Sequence, residues 1–262
     1  MSSETRFEFT KENIDGFLKE LAKEYRKQVG KAMPAELILT GGASVLINYG
    51  FRNMTTDIDA LIHASSAMKE AIRLVGDRHS LPNDWLNSDF RQTDSYSPKL
   101  AEFSVYYKTW SNILTVRTIT AEYLVAMKLC SGRQYKSDLS DVIGILAEHE
   151  KKGAPLRMEQ IEKAVSDLYG SWDQLPEASQ AFIQNVFQDG RFEQLYSQTA
   201  MDEKDTRALL IQFDHNYPDV LKQENADSVA ENLQKKTDRA SILAALRERQ
   251  QSEVSLNPGN KK

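Results

Sequence analysis

Two carboxylates stand two residues apart in Asp57-Ile-Asp-Ala-Leu-Ile-His63, a run whose alternation reads as a β-strand. Side chains two apart on a strand share a face, and adjacent carboxylates repel unless a cation sits between them. Asp57 and Asp59 are therefore candidate ligands of one divalent cation, with Mg²⁺ the expected ion. Upstream, Leu37-Ile-Leu-Thr-Gly-Gly-Ala-Ser44 runs from an apolar strand into a double glycine and then a helix. Gly41 and Gly42 carry no Cβ, so an anion can approach the free N–H groups that open the helix, with the Ser44 hydroxyl nearby. A phosphate cradle one helix ahead of a metal-binding pair suits phosphoryl or nucleotidyl transfer, where positioning and charge neutralisation supply most of the catalysis. The chain has one Asp-x-Asp and one Gly-Gly, and they fall in this order. The plainer alternative is a tight strand-to-helix turn, with Asp57 capping a loop and Asp59 solvated.

Other side chains could serve the same site. Arg52, shortly before the acidic pair, is a candidate triphosphate ligand or a simple loop cation. Lys128 has helical spacing with Leu124 and Leu129, which suits either a phosphate contact or a lysine whose stem packs while its ammonium reaches water. Arg133 and Lys136, followed by Asp138 and Asp141, form a cation-then-acid cluster between two helices, read as part of a nucleotide site or as caps and interhelical ion pairs. His63 ends a strand, and Cys130, Trp85, Trp110 and Trp172 read as packing residues.

The elements that must position these groups follow from periodicity. Leu18, Leu21, Ala22 and Tyr25 mark an amphipathic helix from about 11 to 30. A strand at 36–40, a helix at 43–49, a strand at 57–63 and a helix carrying Met68, Ile72 and Val75 come next. Residues 80–98, with Pro82, Pro98 and many short polar residues, read as an irregular connection with one turn of helix at Trp85-Leu86. Two strands are expected at 101–108 and 112–117. Helices are expected from Thr120, from Ser137, and near 158–169, 176–188, 202–214 and 226–249. No strand pattern follows residue 120, no repeat is evident, and the polar stretch 250–262 is expected to be a disordered tail. The expected division is an α/β domain over 1–150 and a helical domain over 151–249.

Composition narrows the function classes. The chain has 262 residues, 40% hydrophobic, enough for a substantial core. Thirty-three Lys and Arg face 38 Asp and Glu, and the net charge of −5 gives no broad footprint for duplex DNA. One cysteine rules out an intramolecular disulfide framework, and histidines 63, 79, 149 and 215 never fall at i, i+4 metal spacing. Met1 to Thr10 is polar and no apolar run approaches a membrane span, so a cytoplasmic protein without membrane association is expected.

The strand, Gly-Gly, helix and Asp-x-Asp order resembles the DNA polymerase β-like nucleotidyltransferase superfamily. Within it, the chain is most similar to the bacterial minimal nucleotidyltransferases related to AbiEii-type toxins of toxin–antitoxin and phage-defence modules. Asn83-Asp-Trp-Leu-Asn87, Tyr123-Leu-Val-Ala-Met-Lys128, Arg133, Lys136, Asp138 and Asp141 resemble later blocks of that group, and the likeness covers roughly 35–150. It implies a nucleotidyltransferase-type fold, a twisted mixed sheet flanked by helices, followed by an all-helical C-terminal domain. It implies Mg²⁺-dependent movement of a nucleoside monophosphate from an NTP to a hydroxyl of RNA or protein, with a cognate antitoxin or toxin as partner. Such enzymes often have Ser where Gly42 stands and carry a third carboxylate on a later strand. Glu102 is the only acid within the expected later strands and is the candidate for that place. A catalytically inactive nucleotide-sensing or protein-binding module of the same fold is the alternative reading.

Overall fold

The computed structural model describes residues 7–133, 135–222 and 225–235. Helix α1 (Lys11–Val29) buries Ile14, Leu18, Leu21, Ala22 and Tyr25 on one stripe and stops at Gly30, whose φ of +68° suits glycine. Strand β1 (Ala35–Leu39), helix α2 (Gly41–Asn48), strand β2 (Ile58–His63) and helix α3 (Ala67–His79) follow in the expected order. In place of the helical turn expected at Trp85-Leu86, the irregular connection contains a two-residue strand, β3 (Leu86–Asn87), that periodicity does not reveal. Strands β4 (Ser104–Trp110) and β5 (Leu114–Ile119) are joined at Ser111 and Asn112, with φ of +53° and +50°. Two left-handed residues and an Ile113 N–H donating to the Trp110 carbonyl make the hairpin turn whose twist matches the strands. Asn112, expected to open a strand, belongs to that turn.

The five strands form one mixed sheet in the order β3-β2-β1-β5-β4. Strand β1 runs antiparallel to β2 and parallel to β5, β3 is parallel to β2, and β4 is antiparallel to β5. Alternation splits the side chains into two cores. Leu37, Leu39, Ile58, Ala60, Leu114 and Val116 pack with the apolar stripes of α1 and α3 on one face. Ile38, Leu61 and Ile119 pack on the other face with helices α4 (Ala121–Ser131) and α5 (Asp138–Lys151). A strand buried on both faces has no polar row, which is why Leu37-Ile-Leu39 is continuously apolar.

The remaining chain is helical: α6 (Met158–Tyr169), α7 (Glu177–Asp189) and α8 (Phe192–Asn216), with helical residues again at 226–235. Contacts group residues 1–132 and 137–199 as one compact unit and 133–136 with 200–262 as a second. In the first, Ile161, Ala164 and Val165 of α6 and Ile183 of α7 join the core of α4 and α5. In the second, Leu210, Thr206, Ala226 and Ala230 are buried, and Arg207 Nε donates to the Tyr135 carbonyl at 3.0 Å. The expected tail at 250–262 and the end of the helix expected to reach 249 lie outside the described residues. No helix among the described residues is long and apolar enough to cross a membrane.

Candidate active site

Thr40 ends β1, and its N–H donates to the Asp59 carbonyl at 2.9 Å, carrying the β1–β2 ladder to the point where the chain turns into α2. Gly41 makes that turn at φ +50°, a left-handed conformation that favours glycine. A Cβ on Gly41 would stand 3.5 Å from Asp59 Oδ2. A Cβ on Gly42 would stand 2.6 Å from Thr55 Oγ1 and 2.9 Å from Arg52 Nη2. The glycine pair at the start of α2 therefore has a carboxylate on one side and a guanidinium with a hydroxyl on the other. Asp57, just before β2, shares the face of Asp59 by alternation.

Each wall of the cradle is anchored. Thr55 is buried and exchanges two backbone hydrogen bonds with Phe9, at 2.8 and 2.9 Å. Arg52 Nε donates to the Met54 carbonyl at 3.0 Å, and its Nη1 donates to Asp141 Oδ2. Asp141 also meets Lys128 Nζ at 2.9 Å, and Lys128 meets Asp138 Oδ1 at 2.7 Å. The side chains of Lys128, Asp138 and Asp141 are 8%, 1% and 3% exposed, so this is an ionic cluster inside the protein and not a solvated pair. Burial disfavours the Lys128 ammonium, but Asp138 and Asp141 outweigh burial and the repulsion of Arg52, and they hold its pKa above the ordinary value. Lys128 is thus a charged tie between α4 and α5 that orients Asp141, which in turn orients Arg52 at Gly42.

The other candidates fall in different places. Ser44 is fully buried, and its Oγ accepts from the Ile119 N–H at 3.2 Å, so its acceptor is committed to joining α2 to β5. Arg133 and Lys136 belong to the segment grouped with the second unit. Glu102 is exposed and lies on a 3-10 helix, Pro98–Phe103, and not on a strand. Pro98 in the first turn fixes φ, and Ser97 Oγ accepts from the Lys99 N–H, so the strand starts only at Ser104. Three strand spacings, about 14 Å, separate the lines of β4 and β2, which takes Glu102 away from Asp57 and Asp59. Continuing the register from Ala60, Leu39 and Thr118 aligns Asp59 with Thr40 and Ile119. The place across β1 from Asp59 is thus a buried isoleucine, and neither β4 nor β5 contains an acid.

Among the described residues, no group of three or more His, Cys, Asp or Glu is placed to hold a metal. The Asp57 and Asp59 pair nevertheless suits Mg²⁺, a hard cation that protein sites hold with one or two carboxylates and complete with substrate phosphates. Sequence reasoning passed over Thr55, which carries no periodic or motif signal. Thr40 and Asn87 stand inside quoted motifs without a role of their own, and the structure adds that β3 pairs Asn87 with Asp59 in register.

A mixed five-strand sheet flanked by helices is consistent with a nucleotidyltransferase-like fold. Residues 16–149, just over half of the chain, match the family described as "Nucleotidyltransferase of unknown function (DUF6036)", and the chain belongs to that family. No curated protein and no solved structure matches the chain.

Proposed function

We propose that the chain transfers a nucleoside monophosphate from an NTP to a hydroxyl of RNA or protein, with Mg²⁺ held by Asp57 and Asp59. The observation that carries this reading is the flanking of Gly41 and Gly42 by the Asp59 carboxylate on one side and by Arg52 and Thr55 on the other. The N–H groups at the start of α2 bind the phosphate chain, and the Arg52 guanidinium neutralises charge as pyrophosphate leaves. Lys128 and Asp141 keep that guanidinium in place before substrate arrives. The acceptor oxygen bonds to the α-phosphorus, the bond to the β-phosphate oxygen breaks, and the acceptor proton passes to water. Bound Mg²⁺ would neutralise the phosphates and acidify the attacking hydroxyl. Helices beyond residue 150 present the acceptor, and the AbiEii-type resemblance suggests a toxin–antitoxin or phage-defence setting with a cognate partner protein. Incubation with α-labelled NTPs, Mg²⁺ and RNA or protein acceptors should yield labelled acceptor and pyrophosphate. NTP binding without release of pyrophosphate across these acceptors would favour the second reading, a nucleotide-sensing module, which the acid-free β4 and β5 motivate.

A further inference from the structure

One helical turn beyond the Arg52 and Asp141 pair lies a cavity of about 280 Å³, lined by Phe51, Gly144, Glu148, Lys151, Glu193 and Tyr196 among others. Its place is set by chain continuity. Phe51 is the neighbour of Arg52, and Gly144 follows Asp141 by three residues, about 4.5 Å along α5. Gly144 makes room for the Phe51 ring, since a Cβ there would stand 2.6 Å from Phe51 Cε2. Tyr196 meets Phe51 edge-on with centroids 5.4 Å apart, and its hydroxyl donates to the Phe51 carbonyl at 3.2 Å. Two lining residues are thus aromatic, and the Phe51 ring is held in place by Gly144, by Tyr196 and by Tyr49, which stacks on it with centroids 5.6 Å apart.

The cavity lining carries two carboxylates, Glu148 and Glu193, and one ammonium, Lys151. Glu193 meets Lys151 at 2.5 Å with both side chains more than 60% exposed, so this ion pair forms a solvated rim. Glu148, 25% exposed, meets Lys152 at 3.1 Å and is the more enclosed carboxylate. With Lys151 occupied by Glu193 and one carboxylate in excess, the lining calls for a ligand that offers hydrogen-bond donors to Glu148. An aromatic wall suits a base face, and a carboxylate suits an exocyclic amino group.

We propose that this cavity seats the nucleobase of the NTP whose phosphates lie at Gly41 and Gly42, and that Glu148 selects an amino-bearing base over uracil. The inference rests on the nucleotidyl-transfer reading and extends it to specificity. One ligand with an anionic end and an aromatic end would span Arg52 and Phe51, two consecutive residues. Uracil offers Glu148 a ring N–H between two carbonyl oxygens that the carboxylate repels, whereas adenine, cytosine and guanine each offer an amino group.

The test is calorimetric titration of the full chain, with Mg²⁺, against tripolyphosphate and the α,β-methylene analogues of ATP, GTP, CTP and UTP. At least one amino-bearing nucleotide should bind roughly tenfold or more tighter than tripolyphosphate, and the uridine analogue should bind more weakly than that nucleotide. Tyr196→Leu should bring nucleotide affinity towards that of tripolyphosphate while leaving tripolyphosphate binding unchanged. Glu148→Gln, on a partly solvated side chain, should narrow the gap to the uridine analogue even if Tyr196→Leu fails to fold. Equal binding of tripolyphosphate and all four nucleotides by the wild type would overturn the base site while leaving the phosphate cradle standing. Failure of every nucleotide and of tripolyphosphate to bind would overturn both readings. Variants that keep nucleotide affinity but raise the KM for the acceptor would assign the cavity to the acceptor and overturn the proposal.

Discussion

Replacing Lys128 with Met tests whether the buried ionic cluster holds the cradle. Met keeps most of the stem, so the change removes charge with little loss of volume. It takes a 2.7 Å charge-assisted bond from Asp138 and a 2.9 Å contact from Asp141, whose side chains are 1% and 3% exposed. Removing one partner of a buried pair costs about 3–5 kcal/mol. Protonation of a carboxylate sets a ceiling: with an ordinary pKa near 3.9, taking up a proton at pH 7 costs about 4 kcal/mol and falls by about 1.4 kcal/mol per pH unit. In the variant a carboxyl pKa rises on folding, so the folded form binds more protons than the unfolded form and its stability increases as pH falls. In the wild type the Lys128 pKa is raised on folding, so its contribution is complete below about 10.5 and is lost only as pH rises through the higher folded value. Between pH 5 and 8 the wild-type term from Lys128 is therefore flat, and the pH dependence of the difference belongs to the variant. Urea unfolding at pH 5, 6, 7 and 8 should show a deficit of about 3–4 kcal/mol at neutral pH, shrinking to about 1–2 kcal/mol at pH 5. A deficit that stays constant across this range, or stays below about 1 kcal/mol at pH 8, would refute the buried-charge account.

On the proposed metal role, Asp57→Asn and Asp59→Asn should each reduce nucleotidyl transfer by orders of magnitude with little change in melting temperature; unimpaired transfer, or ready unfolding, counts against the metal assignment. Gly42→Val should weaken Mg·NTP binding strongly by driving Thr55 and Arg52 aside, whereas Ser44→Ala should lower stability by about 1–3 kcal/mol through the lost acceptor for the buried Ile119 N–H while sparing affinity; the reverse ranking in calorimetry would remove the cradle. Burial pushes the Cys130 thiol from 9.0 up to about 11, with Asp94 adding and Tyr169 opposing, so alkylation at pH 8 should run about a hundredfold slower than in urea-unfolded protein; equal rates would contradict the buried placement. A chain ending near residue 152 should aggregate, because it strips Ile161, Val165 and Ile183 from the core of α4 and α5; a soluble, NTP-binding fragment would show that this packing is dispensable.

The order of elements up to residue 79 is legible because one cause acts at each: an apolar stripe every three or four residues for α1 and α3, continuous apolar residues for β1, and glycine where φ turns positive. Strand β3 is not legible. Its two residues contribute a pairing with Ile58 and Asp59, and two residues have no period. The start of β4 is misread for a related reason, since Phe103 alternates correctly with Val105 and Tyr107 while Ser97 and Pro98 wind the chain into a 3-10 turn through Phe103. Local capping chemistry there outweighs a pattern that extends beyond it.

The candidate site divides along the same line. Gly41, Gly42, Asp57 and Asp59 are close in sequence and tied to adjacent elements, so their proximity follows from one strand–helix–strand unit. Arg52 and Asp141 are 89 residues apart, and their pairing depends on how α5 crosses the loop after α2. Charges at 128, 138 and 141 look the same in sequence whether they cap helices or bury one another, because burial is decided by tertiary packing, not by spacing. Ser44 makes the same point in reverse: a hydroxyl two residues past Gly42 suits phosphate on paper, and the arrival of Ile119 beside it turns it inward. The absence of an acid from β5 has a structural consequence of its own. With Ile119 in line with Asp59 and its N–H bound by Ser44, no single substitution at 119 can supply a third carboxylate without breaking into the apolar core that seats α4. On the proposed reading, catalysis at this end of the sheet would rely on Asp57, Asp59 and the Arg52 guanidinium beside Gly42, which makes Arg52, rather than a third acid, the residue whose loss should separate binding from turnover.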